Sequence, residues 1–522
     1  MTMLRKFLKK LIDYTVCVYL ILIIAVMPFF NREGYSHIGT DKSYFFNTVS
    51  VYIGRALVPL TVIYLGLWTI SIRGEIRKKL KENLSVTDLF AAGYGAILVI
   101  SYFCSDYKPN ALWGATGWYM GFGPQMFLVL IYFFVSKLWK PRKWVLYLGL
   151  AASLAVFALG FLNRFGVDPL GMYIGLPGFI STIGNINWYC GYLTSVFFVG
   201  AALLWQHSEQ KFLIRLPLML YVTVGFASLV SQGSDSGIWT LCIIMTVMFC
   251  LSARDSGRML MFWQEMTLLG CACVITYIVR SAMPPDSHIY DTGFAEFLTS
   301  GLISLIVTFM SLFALAGVAI ARKKKWYSER VFTILSRSGV IVIAVGMAVF
   351  AAMIAINTRR PGSIGFLSKY PVFTFSTTWG SGRGATWSAG WRCFWEQNIW
   401  HKLVGVGPDA MSAYLYREGS PELLKMVKQS FGTSILTNAH NEWLTVLVNT
   451  GILGCIAFAG MICTAIYRYM KKLGKHNIVC ACGMCMLAYT VNNIFSFQQA
   501  MNVATIFSIF GMGGAFLRAE NK

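Results

Sequence analysis

The sequence predicts an all-α membrane protein of about fourteen transmembrane helices, with one large loop on the outer face. Three observations lead there. Hydrophobic residues fill 56% of the 522 positions and charged residues only 13%, against about a quarter charged in a soluble domain. The apolar residues gather into blocks of the length a bilayer requires, about 20 residues per helix. Lysine and arginine collect in alternate connections between those blocks, as the positive-inside rule describes.

The first block follows MTMLRKFLKK and covers 12–30. It is long and has no small-residue cleavage site, so it reads as a retained span rather than a signal peptide. Further spans are expected over 46–72, 87–104, 118–136, 144–162, 188–205, 213–230, 237–253, 259–279, 298–320 and 339–357. The last three follow over 451–469, 477–495 and 501–517. The chain thus divides into a bundle of eleven spans (1–357), a long outer segment with interfacial helices (358–450) and the C-terminal spans (451–522). No tandem repeat, low-complexity tract or heptad run interrupts this pattern.

Charge sets the orientation. The N-terminus and alternate loops hold 29 of the 44 lysines and arginines. That set is expected to be cytoplasmic, with both termini inside. The formal net charge of +22 therefore reflects topology. A nucleic-acid-binding face would need a soluble basic domain, and none is visible. The 13 cysteines fall almost entirely inside spans and form no disulfide framework. Cys480, Cys482 and Cys485 read as small, soft core residues.

The outer segment breaks the charge rule. Between 358 and 439 it carries nine basic residues and four acids. A net positive outer loop suits an anionic ligand; a solvated loop on a basic protein is equally open on charge alone. Within it, SGRGATWSAGWRCFWEQNIW (381–400) turns helical from Thr386. Trp387, Trp391, Phe394, Trp395 and Ile399 then fall on one stripe. Such a helix is suited to the membrane interface or to packing on the mouths of neighbouring spans. Arg383 immediately precedes it, where free helix N–H groups and a guanidinium together suit phosphate oxygens. GVGPDAM (405–411) is a glycine-rich turn.

TNAHNEW (437–443) places His440 where the polar segment becomes apolar. An imidazole with an ordinary pKa of about 6.5 accepts a proton near neutrality, and Asn441 and Glu442 stand beside it. The other outer histidines are His37, His288 and His401; His37 and His288 sit in loops without a polar cluster. The outer loops contain no Asp-x-Asp pair. Asp286, His288 and Asp291 read as a polar turn after Pro284 and Pro285, so neither a metal nor a cofactor is expected.

Three stretches resemble the O-antigen ligase/polymerase superfamily, bacterial membrane glycosyltransferases that use polyprenyl-diphosphate-linked glycans. ALWGATGWYMG (111–121) is similar to the family's early outer-loop motif. STIGNINWYCGYL (181–193), with Asn185 and Asn187, is similar to its glycine-asparagine-x-asparagine signature. SGRGATWSAGW…LVGVGPDAM followed by HNEWLTVLVNTGILG resembles its large loop and histidine helix. Order and spacing agree over roughly 110–470. The resemblance implies a GT-C-like helical fold whose loop caps a lipid-open cavity in the bacterial cytoplasmic membrane. It implies a polyprenyl-diphosphate-linked glycan donor (undecaprenyl diphosphate), His440 as the base that activates an acceptor hydroxyl, and Arg383 on the diphosphate without a metal. One departure stands out: SQGSDSG (231–237) has Asp235 where the family often carries arginine. Arg55, near the outer end of its span, Arg280 and Arg360 are candidates for the missing phosphate contact; Asp235 is a candidate for acceptor hydroxyls.

The acceptor implied is a growing glycan, a lipid or wall anchor, or a protein serine or threonine, making the chain a polymerase, a ligase or a protein O-glycosyltransferase in surface polysaccharide biosynthesis. The rival from another class is a lipid-linked-oligosaccharide flippase. A flippase needs charge through the centre of its bundle, whereas the polar residues here concentrate in one outer loop. A receptor would need a cytoplasmic domain to signal through, and none is apparent.

Overall fold

The computed structural model describes residues 2–72, 74–172, 178–283 and 293–520. Among them, twelve helices are long and apolar enough to cross a membrane. Two shorter apolar helices, Phe122–Leu138 and Asn477–Asn492, fall where the fourth and thirteenth spans were expected. Each of the fourteen expected spans therefore corresponds to an apolar helix, and the protein is an all-α, multi-pass membrane protein. The polar turn with Asp286, His288 and Asp291 lies outside the described residues.

The bundle is graded from centre to rim. Helices Ile186–Trp205 and Ala500–Glu520 have 94% of their apolar windows buried; Ile38–Ser71 has 6% and Glu329–Arg359 has none. Small residues create the centre: Gly191 leaves room for Asn502, and Gly200 leaves room for the ring of Tyr221. Close backbone approach at small residues is how helices gain contact when lipid offers no hydrophobic drive. Among the described residues one lysine is fully buried, for a local reason. The first span ends in a π turn and a 3-10 turn (Leu22–Val26, Met27–Phe29). Lys42 Nζ donates to the Met27 and Pro28 carbonyls they release, at 2.9 and 2.7 Å.

The long segment before the histidine helix folds into a cap with its own core. Ala389, Cys393, Phe394, Met411, Leu415 and Leu423 pack together with Val448 of the following helix. This corrects the expected single stripe: Phe394 is buried in the cap, while Trp391 and Trp395 beside it are exposed, their rings 6.3 and 5.5 Å from that of Phe394. Ile399 falls beyond the helix end, in the helix Ile399–Val404.

The twelfth expected span begins earlier than 451. Its helix runs from Glu442 to Met470 and is broken at Gly451, which takes φ 68°, ψ −173°. The break releases carbonyls, and the glycine-rich turn takes them up. Val406 N–H donates to Val448 O at 3.2 Å and Gly407 N–H to Asn449 O at 3.0 Å. Gln397 Nε2 and Ser101 Oγ add bonds to the same two oxygens, at 3.1 and 2.9 Å. GVGPDAM is thus a structural clasp. Only glycine fits at 451, because a β-carbon would meet the Leu403 carbonyl and the conformation disfavours L-residues. Gly451→Ala is expected to cost about 1–3 kcal/mol, read as a lower thermal midpoint in detergent.

Candidate active site

Local structure brings His440 and Arg383 to one place. Asn441 is the N-cap of the histidine helix, its side chain accepting Leu444 N–H at 3.0 Å. A cap needs extended backbone, so the chain turns sharply just before it. His440 makes that turn with φ 49°, its N–H donating to Asn438 Oδ1 at 2.9 Å. Such a φ is uncommon outside glycine and persists only where surroundings enforce it. The imidazole lies 5.1 Å from the Phe497 ring, and Phe497 lies 4.8 Å from Trp118, edge to face.

Arg383 is the first helical residue after a left-handed run at Gly380, Ser381 and Gly382. The free N–H groups expected at this helix start are partly spent. Gly382 N–H donates to Thr378 O and Ala385 N–H to Thr377 O. The guanidinium remains as the charged group of this turn. Its Nε donates to Phe495 O at 3.2 Å and one terminal nitrogen to Gly380 O at 3.0 Å. Since a guanidinium carries five N–H donors, donors remain for a ligand.

Electrostatics tie the two together and add a third group. Burial first, and the Arg383 charge second, push the His440 pKa down to about 4. At neutral pH the ring is unprotonated. Arg383 is itself lowered by burial and supported by the nearby carboxylate of Asp235. Asp235 opens helix Asp235–Ser252 and is exposed. The acid at the departing position thus braces the arginine that is present.

The two asparagines of the GNIN stretch divide their roles. A two-residue strand pair, Phe179–Ile180 with Gly184–Asn185, delivers the chain to the next helix. Asn185 caps that helix by accepting Asn187 N–H at 2.9 Å. Asn187 Oδ1 accepts from Ser234 Oγ at 2.9 Å, which joins this segment to the Asp235 turn.

The other candidates stand apart. Glu442 is buried; it accepts Gln498 N–H at 2.6 Å, and its own N–H donates to Asn493 O. Arg280 pairs with Glu296 at 3.3 Å and donates to Thr299. Arg360 caps the helix Glu329–Arg359 and is exposed. Arg55 is exposed, over the Tyr52 ring. Its helix starts at Ile38, not 46, which puts Arg55 about 25 Å along the helix. Polar residues at 38–45 hid that extra length.

Two contributors escaped the sequence reading. Residues 493–499, NIFSFQQ, form the floor: Phe495 underlies Arg383, Phe497 meets His440, and Gln498 holds Glu442. The signal was there, since paired amides and spaced phenylalanines interrupt two apolar blocks. The second is Asp409, buried in the clasp. One of its oxygens accepts Ala115 N–H at 2.8 Å and Met120 N–H at 3.2 Å, which fixes the loop that carries Trp118. Trp118 Nε1 in turn donates to Thr437 Oγ1. Burial pushes the Asp409 carboxyl up to about 7. Asp409→Ala is expected to strand both amides and cost about 1–3 kcal/mol. Asp409→Asn keeps an acceptor and removes the charge. Because the folded form holds its proton above the unfolded value, wild-type stability falls as pH rises from about 4 to 7. Thermal midpoints at pH 5 and 8 should show that slope reduced in the asparagine variant.

Residues 292–459 match the family model described as O-Antigen ligase. The matched segment contains Arg360, Arg383, His440, Asn441 and Glu442; Arg55, Asn185, Asn187, Asp235 and Arg280 precede it. An uncharacterized protein of Haemophilus influenzae is 28% identical over 116 residues, which cover 21% of this chain and 28% of that protein. The aligned part thus spans little more than a quarter of that relative. The family match lies over the cap and the histidine helix, and this part of the chain is similar to the O-antigen ligase family.

Proposed function

We propose that the protein is an inverting glycosyltransferase that moves a glycan from a polyprenyl-diphosphate carrier to an acceptor hydroxyl. The site would face the outside of the cytoplasmic membrane, with both termini inside and no metal in the step. The observation that carries this reading is the convergence of distant segments: Arg383 donates to Phe495 O and lies over its ring, and His440 packs on Phe497 two residues along. Neutral His440 takes the acceptor proton as the hydroxyl oxygen attacks the anomeric carbon. The bond to the diphosphate breaks, and the electron pair leaves on its oxygen. Arg383 stabilises that growing charge. Attack opposite the leaving group inverts the anomeric centre. The acceptor would be a lipid-anchored sugar for a ligase, a glycan for a polymerase, or a protein hydroxyl.

A transfer assay in native membranes tests this. Lipid-linked donor and glycosylated product are followed by gel for the wild type and for His440→Ala at equal expression. Donor that accumulates in the variant, with product lost, supports the reading, and the lost product names the acceptor. Normal product in the variant removes His440 as base. Wild-type protein that leaves donor unused yet moves it across the membrane is a flippase.

A further inference from the structure

A cluster of arginines lines a cavity at the far end of the helix that Asp235 opens. Helix Asp235–Ser252 starts at the candidate active site and ends about 25 Å away along its axis. There a cavity of about 580 Å³ opens between this helix, the next one, and the foot of helix Glu329–Arg359. Arg254, Arg258 and Arg337 line it, with Leu251, Val340 and Leu473 on its apolar side. Arg258 pairs with Asp255 at 3.3 Å, but its Nε is buried without a hydrogen-bond partner among the described residues. Arg254 and Arg337 are exposed and have no ion pair among the described residues.

The helix that closes the cavity is unusual. Every residue from 337 to 352 is exposed. Near its start the carbonyl of Ser336 meets Cys250, and near its end Phe350 meets Phe373. Between these points it stands clear of the bundle as an apolar rod exposed on all sides. In a bilayer lipid chains fill such a gap where no other helix packs against it. Val340 and Ile341 line the cavity, and Val342, Ile343 and Val345 continue upward from it. Three arginines therefore sit at the foot of an exposed apolar helix face.

We propose that this cavity is a binding site for an anionic phospholipid. Its phosphate lies among Arg254, Arg258 and Arg337, and a chain lies between helix Glu329–Arg359 and helix Asp235–Ser252. Basic pockets between membrane helices take such headgroups, each arginine contributing about 1 kcal/mol. The lipid would brace a helix that leads directly into the cap, without touching the transfer site. This inference does not depend on the activity of His440.

The test uses the full chain, purified in maltoside and stripped of lipid, titrated with dioctanoyl-phosphatidylglycerol. Thermal unfolding is the readout. The expected result is stabilisation by this lipid, little by the phosphatidylcholine analogue, and none by inorganic phosphate. Arg254→Gln/Arg337→Gln should weaken the apparent affinity roughly 30-fold, about five-fold per arginine; Arg337→Gln alone should give the smaller step. Arg77→Gln/Lys78→Gln, which removes equal charge from another basic loop, should leave it unchanged. Equal stabilisation by phosphatidylcholine would remove the arginines from the account. Equal stabilisation by inorganic phosphate would make the cavity a site for soluble anions. An equal loss in the Arg77/Lys78 variant would reduce it to diffuse surface charge, and the proposal would fall.

Discussion

Replacing His440 with alanine should lower transfer by roughly 100- to 10,000-fold, the usual contribution of a positioned general base. The pH profile separates a base from a merely structural histidine. In the free protein, burial and Arg383 hold the pKa at about 4. The ring is thus competent throughout the neutral range, and kcat/KM should fall only on acidification toward pH 4. A bound diphosphate puts negative charge beside the ring. That favours the imidazolium and raises the pKa, so the acid limb of kcat should lie at higher pH than that of kcat/KM. His440→Asn removes the base while keeping a side chain that can hydrogen-bond at the strained turn. It should lose the acid limb together with the activity. A residual rate that keeps the wild-type limb would assign the proton to another group.

Arg383→Gln is expected to lower kcat by about 100- to 1,000-fold, the range for removing a donor aimed at charge that develops in the transition state. Lysine should not restore it, because a point charge lacks the planar fork that bonds backbone and phosphate together. Arg383 also depresses His440, so Arg383→Gln should move the acid limb of kcat/KM to higher pH. A purely structural arginine would move stability and not this limb. An unchanged limb would show that the two groups do not act in one field.

Most of the fold was legible because a bilayer imposes length and polarity on every crossing helix. The fourteen blocks needed only hydropathy and loop charge. Ile38–Ser71 was misjudged where its polar first turns rise above the apolar run. Glu442–Met470 was started late because the polar head of a helix looks like loop until its cap is seen. At the site, His440 and Arg383 were legible from residue type and neighbours. Asn441 was not recognised as a cap, because Asn beside His reads equally well as chemistry or as a turn. Asp409 could not be weighed at all: its importance lies in two amides nearly 300 positions earlier. The floor, Phe495 to Gln498, is a gap between spans whose value is purely spatial.

The broken helix at Gly451 has a consequence for biogenesis. Open carbonyls are costly within a membrane, and those of Val448 and Asn449 are satisfied by a turn that lies some forty residues earlier in the chain. The helix therefore settles only once that turn has folded against it. Folding of residues 358–439 and settling of the segment behind them are linked through these bonds, and a truncated loop would leave the twelfth span with open carbonyls at its break.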